Sequence, residues 1–154
     1  FEQLTELGIQ TTTTNHIPVF TVKNSEEILK DIPGGHCKSL FLKDKKGGFW
    51  LVVMLGESRL DISALQKKLG SGRLSFAKPG LMHSVLGVEP GSVTPFALIN
   101  TSTKCVNVVL QQCMMKREIL NYHPLENSST TTIFSEDLLK FIKAMGHNPL
   151  ILEF

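Results

Sequence analysis

"GGHCKSLFLKDKKGGFWLVVML", residues 34–55, sets two apolar runs on either side of a short turn rich in lysine and glycine. Strand candidates 38–44 and 49–55 flank "KKGG" at 45–48, where two glycines are free to take positive φ, so the stretch is expected to be a β-hairpin. Side chains alternate across a strand. Lys38, Leu40 and Leu42 therefore share one face, and Cys37, Ser39 and Phe41 share the other. A lysine in line with two leucines either snorkels at the end of the sheet or is aimed into a pocket that wants a cation. Alternation alone leaves both open.

Working outward, helical and extended patterns are mixed along the chain. Leu4 and Leu7 predict a short helix over 2–8, stopped by Gly8, and "IQTTTTNH" predicts a strand. Asn24 with Glu27 forms a capping box for a helix over 25–31 that "PGG" ends. Asp61 caps a helix over 62–69, with Gly70 as its stop. "RLSFA" predicts a strand, "KPGLMHSVLG" a helix, and "PFALIN" and "CVNVVLQQ" two more strands. A helix or turn around 113–119 leads into "LNYHP". "SSTTTIF" predicts a strand, Ser135 a helix cap for "EDLLKFIKAMG", and "PLILEF" a closing strand. Hairpins outnumber strand–helix–strand units. The expected fold class is therefore α+β: one domain over 1–154 with a central mixed, largely antiparallel and barrel-like sheet flanked by helices.

Composition narrows the function classes. The chain has 154 residues, enough for one self-sufficient core, with 42% apolar and 19% charged residues. It has no eighteen-residue apolar run, and "FEQLTELGIQ" lacks the order of a secretory signal, so a cytoplasmic address is expected and no membrane partner. Cys37, Cys105 and Cys113 are odd in number and lack zinc spacing, so they are expected to be reduced thiols. A net charge of +2 does not announce a nucleic-acid binder, so any RNA contact should be local.

Common enzyme templates fail. There is no phosphate-loop lysine motif, no GxSxG elbow and no HExxH helix. His16, His36, His83, His123 and His147 include no i, i+4 pair, so no metal site and no cofactor is expected. His36 and Cys37 are adjacent on a strand and point to opposite faces, which argues against an activated thiol. "GVEPGSVTPFALIN" places Gly91 and Pro95 around Ser92, Val93 and Thr94. Such a loop either brings backbone N–H groups against a ligand or is a plain turn.

Five ordered segments, "PGGHCKSLFLKDKKGGFWLVV", "LGSGRLSFA", "LGVEPGSVTPFALIN", "NYHP" and "FIKAMGHNP", resemble the YbaK and prolyl-tRNA synthetase-associated domain family. The likeness runs from "HIPVFTV" at 16–22 to "LILEF", and is strongest to free-standing bacterial members that clear alanine from mischarged tRNA for proline. The resemblance implies an aminoacyl-tRNA deacylase acting in trans on tRNA(Pro), with alanine as substrate; cysteine is the alternative, and a non-catalytic tRNA- or protein-binding module another. It implies that Lys38 occupies the family's pocket lysine, that Gly91 and Pro95 match its GxxxP loop, and that His123 in "NYHP" matches its histidine. Lys38, His123 and Gly91 are thereby expected to be catalytic. Ser39, Ser92, Val93, Thr94, Pro95 and His16 are expected to bind substrate. Ser39 stands where the family has asparagine, and Ile17 replaces a proline after His16. The implied partners are the tRNA(Pro) acceptor end, with prolyl-tRNA synthetase or an elongation factor beside it, and no DNA.

Overall fold

The computed structural model describes residues 6–15, 35–56, 58–88, 93–99, 106–122 and 129–153. Eight strands form one mixed sheet. They are β1 (Thr12–Asn15), β2 (Gly35–Asp44), β3 (Phe49–Leu55), β4 (Leu74–Phe76), β5 (Val106–Gln111), β6 (Ile119–Tyr122), β7 (Ser129–Phe134) and β8 (Leu150–Leu152). Their order is β1-β7-β6-β2-β3-β5-β8, with β4 also paired to β2. Four ladders are antiparallel (β1–β7, β2–β3, β2–β4, β6–β7) and three are parallel (β2–β6, β3–β5, β5–β8). The fold is α+β. The predicted helix over 25–31 lies outside the described residues.

The hairpin forms as its pattern predicts. Phe41 pairs with Leu51 and Lys43 with Phe49, and the turn closes through Gly47 N–H to Asp44 O at 2.8 Å. Of the two turn glycines, Gly47 takes a positive φ, +100°, and Gly48 does not. The alternation builds two cores on opposite sides of the sheet. Phe41, Leu51, Val53, Val108, Leu110, Leu120 and Ile133 join a large core covered by helix α4 (Ser135–Ala144) through Leu138, Phe141 and Ile142. Leu42, Val52, Met54 and Val109 face a smaller core covered by helix α1 (Ile62–Leu69) through Leu65. Asp61 accepts the Ala64 N–H at 3.1 Å and Gly70 stops α1 at φ +63°, as its cap signals require. Between the two covers, helix α2 (Pro79–Leu81) runs into a π-helical turn over Met82–Leu86 that ends at Gly87. Helix α3 (Gln112–Met115) follows β5 directly.

Three segments differ from the sequence reading: two expectations are corrected, and one stretch left unassigned is a strand. "PFALIN" is not a strand: Pro95–Ile99 is a 3-10 helix. Thr94 accepts the Phe96 N–H with its hydroxyl and the Ala97 N–H with its carbonyl, and proline pre-sets the first helical position, so the local capping signal outweighs the apolar run. Ser135 does not cap α4. It is the first helical residue and its N–H is bound by Glu118 O, because β7 holds Phe134 extended in the cap position. The third is a strand that the sequence hid: Ile119–Tyr122 contains a buried Asn121, whose amide donates to Gly35 O and accepts from Thr132 Oγ1 at 2.6 Å. That interior polar residue breaks the alternation by which a strand is recognised.

The far end of the hairpin is pinned by one carboxylate. Asp44 accepts the N–H groups of Lys46 at 2.9 Å and of Gly72 at 3.3 Å, while Lys45 N–H binds Arg73 O. The Lys46 N–H chiefly holds the Asp44 pKa below the ordinary carboxylate value. A Cβ on Gly72 would overlap Asp44 Oδ1 and meet Lys46 Cγ at 3.0 Å. Gly72→Ala is expected to destabilise by roughly 1–3 kcal/mol. Gly80→Ala, in open space within α2, is expected to stabilise by about 0.5–1 kcal/mol. Urea unfolding midpoints of the two variants should therefore move in opposite directions.

No helix among the described residues is long and apolar enough to cross a membrane.

Candidate functional site

Strand β2 carries two of the candidate residues, Lys38 and Ser39, and its two faces divide them. Gly56 N–H donates to His36 O, so His36, Lys38, Leu40 and Leu42 exchange main-chain hydrogen bonds with β3. Cys37, Ser39 and Phe41 turn their main-chain groups to the opposite edge, where Phe41 O accepts the Ala77 N–H at 2.9 Å. Along that edge, among the described residues, β6 pairs with Gly35 and His36, and β4 with Leu42 to Asp44. Lys38 and Ser39 lie in sequence between these two ladders.

Side chains follow the same alternation. Lys38 lies on the face of the smaller core with Leu40 and Leu42, as the sequence pattern requires. Its ammonium reaches past the end of β3 and donates to Ser58 O at 2.5 Å. The acceptor is a neutral carbonyl and not a carboxylate. Ser39 and Cys37 face the large core. Val93 packs against that core, Thr94 and Pro95 are buried, and the helix that they begin puts Phe96 edge-on to Tyr122, with ring centroids 6.1 Å apart, and to Phe141, at 5.7 Å. Val93, Thr94 and Pro95 are therefore anchored on the face that Ser39 occupies, while Lys38 reaches its position from the other. Gly91, Ser92, His16 and His123 lie outside the described residues.

Cys37 is a packed thiol. Its Sγ donates to Gly35 O at 3.4 Å, and Tyr122, whose hydroxyl contacts Met114 Sδ at 3.2 Å, lies against it. Burial pushes the Cys37 pKa up to about 12, and burial likewise raises that of Tyr122 well above its ordinary value. A thiol so held is not a thiolate nucleophile at neutral pH. At neutral pH, iodoacetamide is expected to modify exposed Cys113 and to leave Cys37 intact until the protein unfolds, as site-resolved mass spectrometry would show. The raised pKa also fixes a sign. The neutral thiol's contribution to stability is complete below its unfolded pKa, about 9, and is lost as pH rises from there toward 12. Stability should fall over that range, and Cys37→Ala should flatten the fall.

Two residues that the sequence did not flag complete the surroundings of Lys38. Gln111, 2% exposed, accepts the Leu55 N–H at 2.9 Å and donates to Ser58 Oγ at 3.1 Å. Ser58 is 20 residues from Lys38 and 53 from Gln111, so no local pattern announces the link. Among the described residues no group of three or more His, Cys, Asp or Glu side chains is placed to hold a metal.

The same fold is found in a solved structure of the hypothetical protein APE2540, which matches with a TM-score of 0.78 at 19% identity, over 97% of this chain and 95% of that one. That likeness defines the fold. Residues 16–141 match the model of the aminoacyl-tRNA editing domain. Over 99% of its length the chain is 38% identical to the prolyl-tRNA synthetase associated domain-containing protein 1 of Bos taurus, covering 92% of that protein. It is 37% identical to the prolyl-tRNA editing protein ProX of Acetoanaerobium sticklandii, over 94% of this chain and 89% of that one. The chain belongs to the aminoacyl-tRNA editing domain family.

Proposed function

We propose that this chain hydrolyses the aminoacyl ester of mischarged tRNA(Pro) in trans, with alanyl-tRNA(Pro) as its main substrate. The reading rests on family membership, on the name of the bacterial relative, and above all on one observation: Lys38 is held by the main-chain carbonyl of Ser58 and, among the described residues, is bonded to no carboxylate. An aminoacyl ester is already activated, so the protein need only position a water and stabilise the developing oxyanion. In this mechanism Lys38 contacts the ester carbonyl or the neighbouring phosphate. The N–H groups of Gly91, Ser92, Val93 and Thr94 orient the terminal ribose and ester, ahead of the Pro95 turn. His123, one peptide beyond Tyr122, contacts the ribose or orders the water. Ser39 and His16 complete substrate binding, Ser39 from the large-core face with a single hydroxyl.

The biological logic is a size sieve. A synthetase pocket built for proline rejects a smaller side chain weakly, since each methylene is worth only about 1–3 kcal/mol. A second site that admits alanine and excludes the proline ring corrects the leak. The partner is then the acceptor end of tRNA(Pro) in the cytoplasm, handed over from prolyl-tRNA synthetase or captured before an elongation factor.

Single-turnover deacylation of tRNA(Pro) charged separately with alanine, cysteine and proline tests the proposal. Rapid loss of alanine alone supports it. Preference for cysteine keeps the chemistry and changes the substrate, and tight tRNA binding with no hydrolysis of any ester overturns the enzymatic reading in favour of a binding module.

A further inference from the structure

Strand β3 outlasts the strand beside it. The parallel ladder between β3 and β5 ends at Val53 and Leu110, and β5 turns into α3 immediately after Gln111. Odd-numbered residues of β3 direct their main-chain groups toward β5, so the N–H of Leu55, a residue 5% exposed, comes after the last paired main-chain carbonyl. The side chain of Gln111 takes its place. Its carbonyl accepts the Leu55 N–H at 2.9 Å, and its amide NH2 donates to Ser58 Oγ at 3.1 Å. Ser58 N–H in turn binds Leu55 O at 3.1 Å, closing the turn that follows β3. The residue so fixed is the one whose carbonyl receives the Lys38 ammonium.

Resting on the reading of Lys38 given above, we infer that Gln111 is a positioning residue for the reaction. Its side-chain amide holds Leu55 and Ser58; it sets where the Ser58 carbonyl stands, and through that carbonyl where the cation waits. The residue type fits the task. One group must accept from a buried main-chain N–H and donate to a hydroxyl, and a primary amide does both without bringing a charge beside the ammonium. The geometry also explains how a lysine with four rotatable methylenes is aimed without a carboxylate partner. A carboxylate would neutralise the charge that the ester needs. A carbonyl fixed from behind orients the ammonium and leaves the charge in place.

The test uses the full chain in single-turnover hydrolysis of alanyl-tRNA(Pro), with wild type, Gln111→Met, Ser58→Ala, Lys38→Ala and the Lys38→Ala/Gln111→Met double variant. In parallel, trace labelling with acetic anhydride followed by mass spectrometry reads the accessibility of the Lys38 amine. Gln111→Met is expected to slow the chemical step by about tenfold or more with little change in the half-saturating concentration, because misplacing a catalytic group by about an ångström is that costly. It is also expected to raise Lys38 labelling several-fold. The double variant should be no slower than Lys38→Ala alone, since an effect passed through the lysine vanishes with it. Equal slowing by Gln111→Met in the presence and absence of Lys38, or unchanged labelling, overturns the inference. If Gln111→Met does not fold, Ser58→Ala decides: it keeps the bond between Gln111 and Leu55 and removes only the hydroxyl link. Increased Lys38 labelling supports the inference and unchanged labelling overturns it. A fully active Lys38→Ala would remove the lysine from the reaction, while the labelling would still decide whether Gln111 sets its position.

Discussion

Lys38→Ala is expected to lower the single-turnover rate of alanyl-tRNA(Pro) deacylation by about 10²–10³-fold, the usual cost of removing one fixed group that stabilises developing negative charge. The loss should appear in the chemical step more than in tRNA affinity, because one cation is a small part of the electrostatic contact with a whole tRNA. Stability should change far less. Lys38 is half-buried at the end of the smaller core, and its removal takes one hydrogen bond from Ser58 O, about 1–2 kcal/mol. Lys38→Arg should not restore the rate, since a planar guanidinium cannot occupy the place of a compact ammonium on a single carbonyl. A Lys38→Ala protein that melts normally and deacylates at the wild-type rate would refute the role.

Phe141→Ala is expected to have the largest effect on stability, about 3–5 kcal/mol. Phe141 is 1% exposed and fills the large core from α4. Its ring stands edge-on to Phe96, 5.7 Å between centroids, and Phe96 stands in turn against Tyr122. Truncation therefore leaves a cavity and also loosens the 3-10 helix that follows the GxxxP segment. For a domain of this length the melting temperature should drop by roughly 10 °C. Phe141→Leu keeps most of the volume and should lose less than half as much. Calorimetry of the two variants checks the order, and equal melting temperatures for Phe141→Ala and wild type would show that the ring packs nothing.

Much of the fold can be read locally, and the reasons are local. The hairpin at 38–55 announces itself because period-two alternation and a glycine turn agree. Helix α1 does so because Asp61 and Gly70 mark both ends, and β7 because four of its six residues are β-branched. The division of Lys38 from Ser39 follows from the same alternation. Where two signals competed, the pattern misled. Thr94 and Pro95 started a helix inside an apolar run that looked extended, and Asn121 put a satisfied amide where a strand was expected to be apolar. The site was legible where one strand or one loop carries it. The support behind Lys38 was not, since Ser58 and Gln111 meet it only after three separate elements have come together.

The two halves of the sheet meet in very little. Among the described residues, the ladder that joins β1, β7 and β6 to the rest consists of Gly35 against Leu120 and His36 against Asn121. Among the described residues the other ladders of β2 are made with β3 or β4, close by in sequence, so these three strands can assemble early and cheaply, whereas closing residue 35 onto residue 120 requires a loop spanning most of the domain. A chain emerging from the ribosome holds its lysine on a finished hairpin long before the strand that flanks it on the other side exists. The ladder between β2 and β6 is therefore completed only with the last third of the protein, so a truncated chain can display the cation without strand β6 beside it.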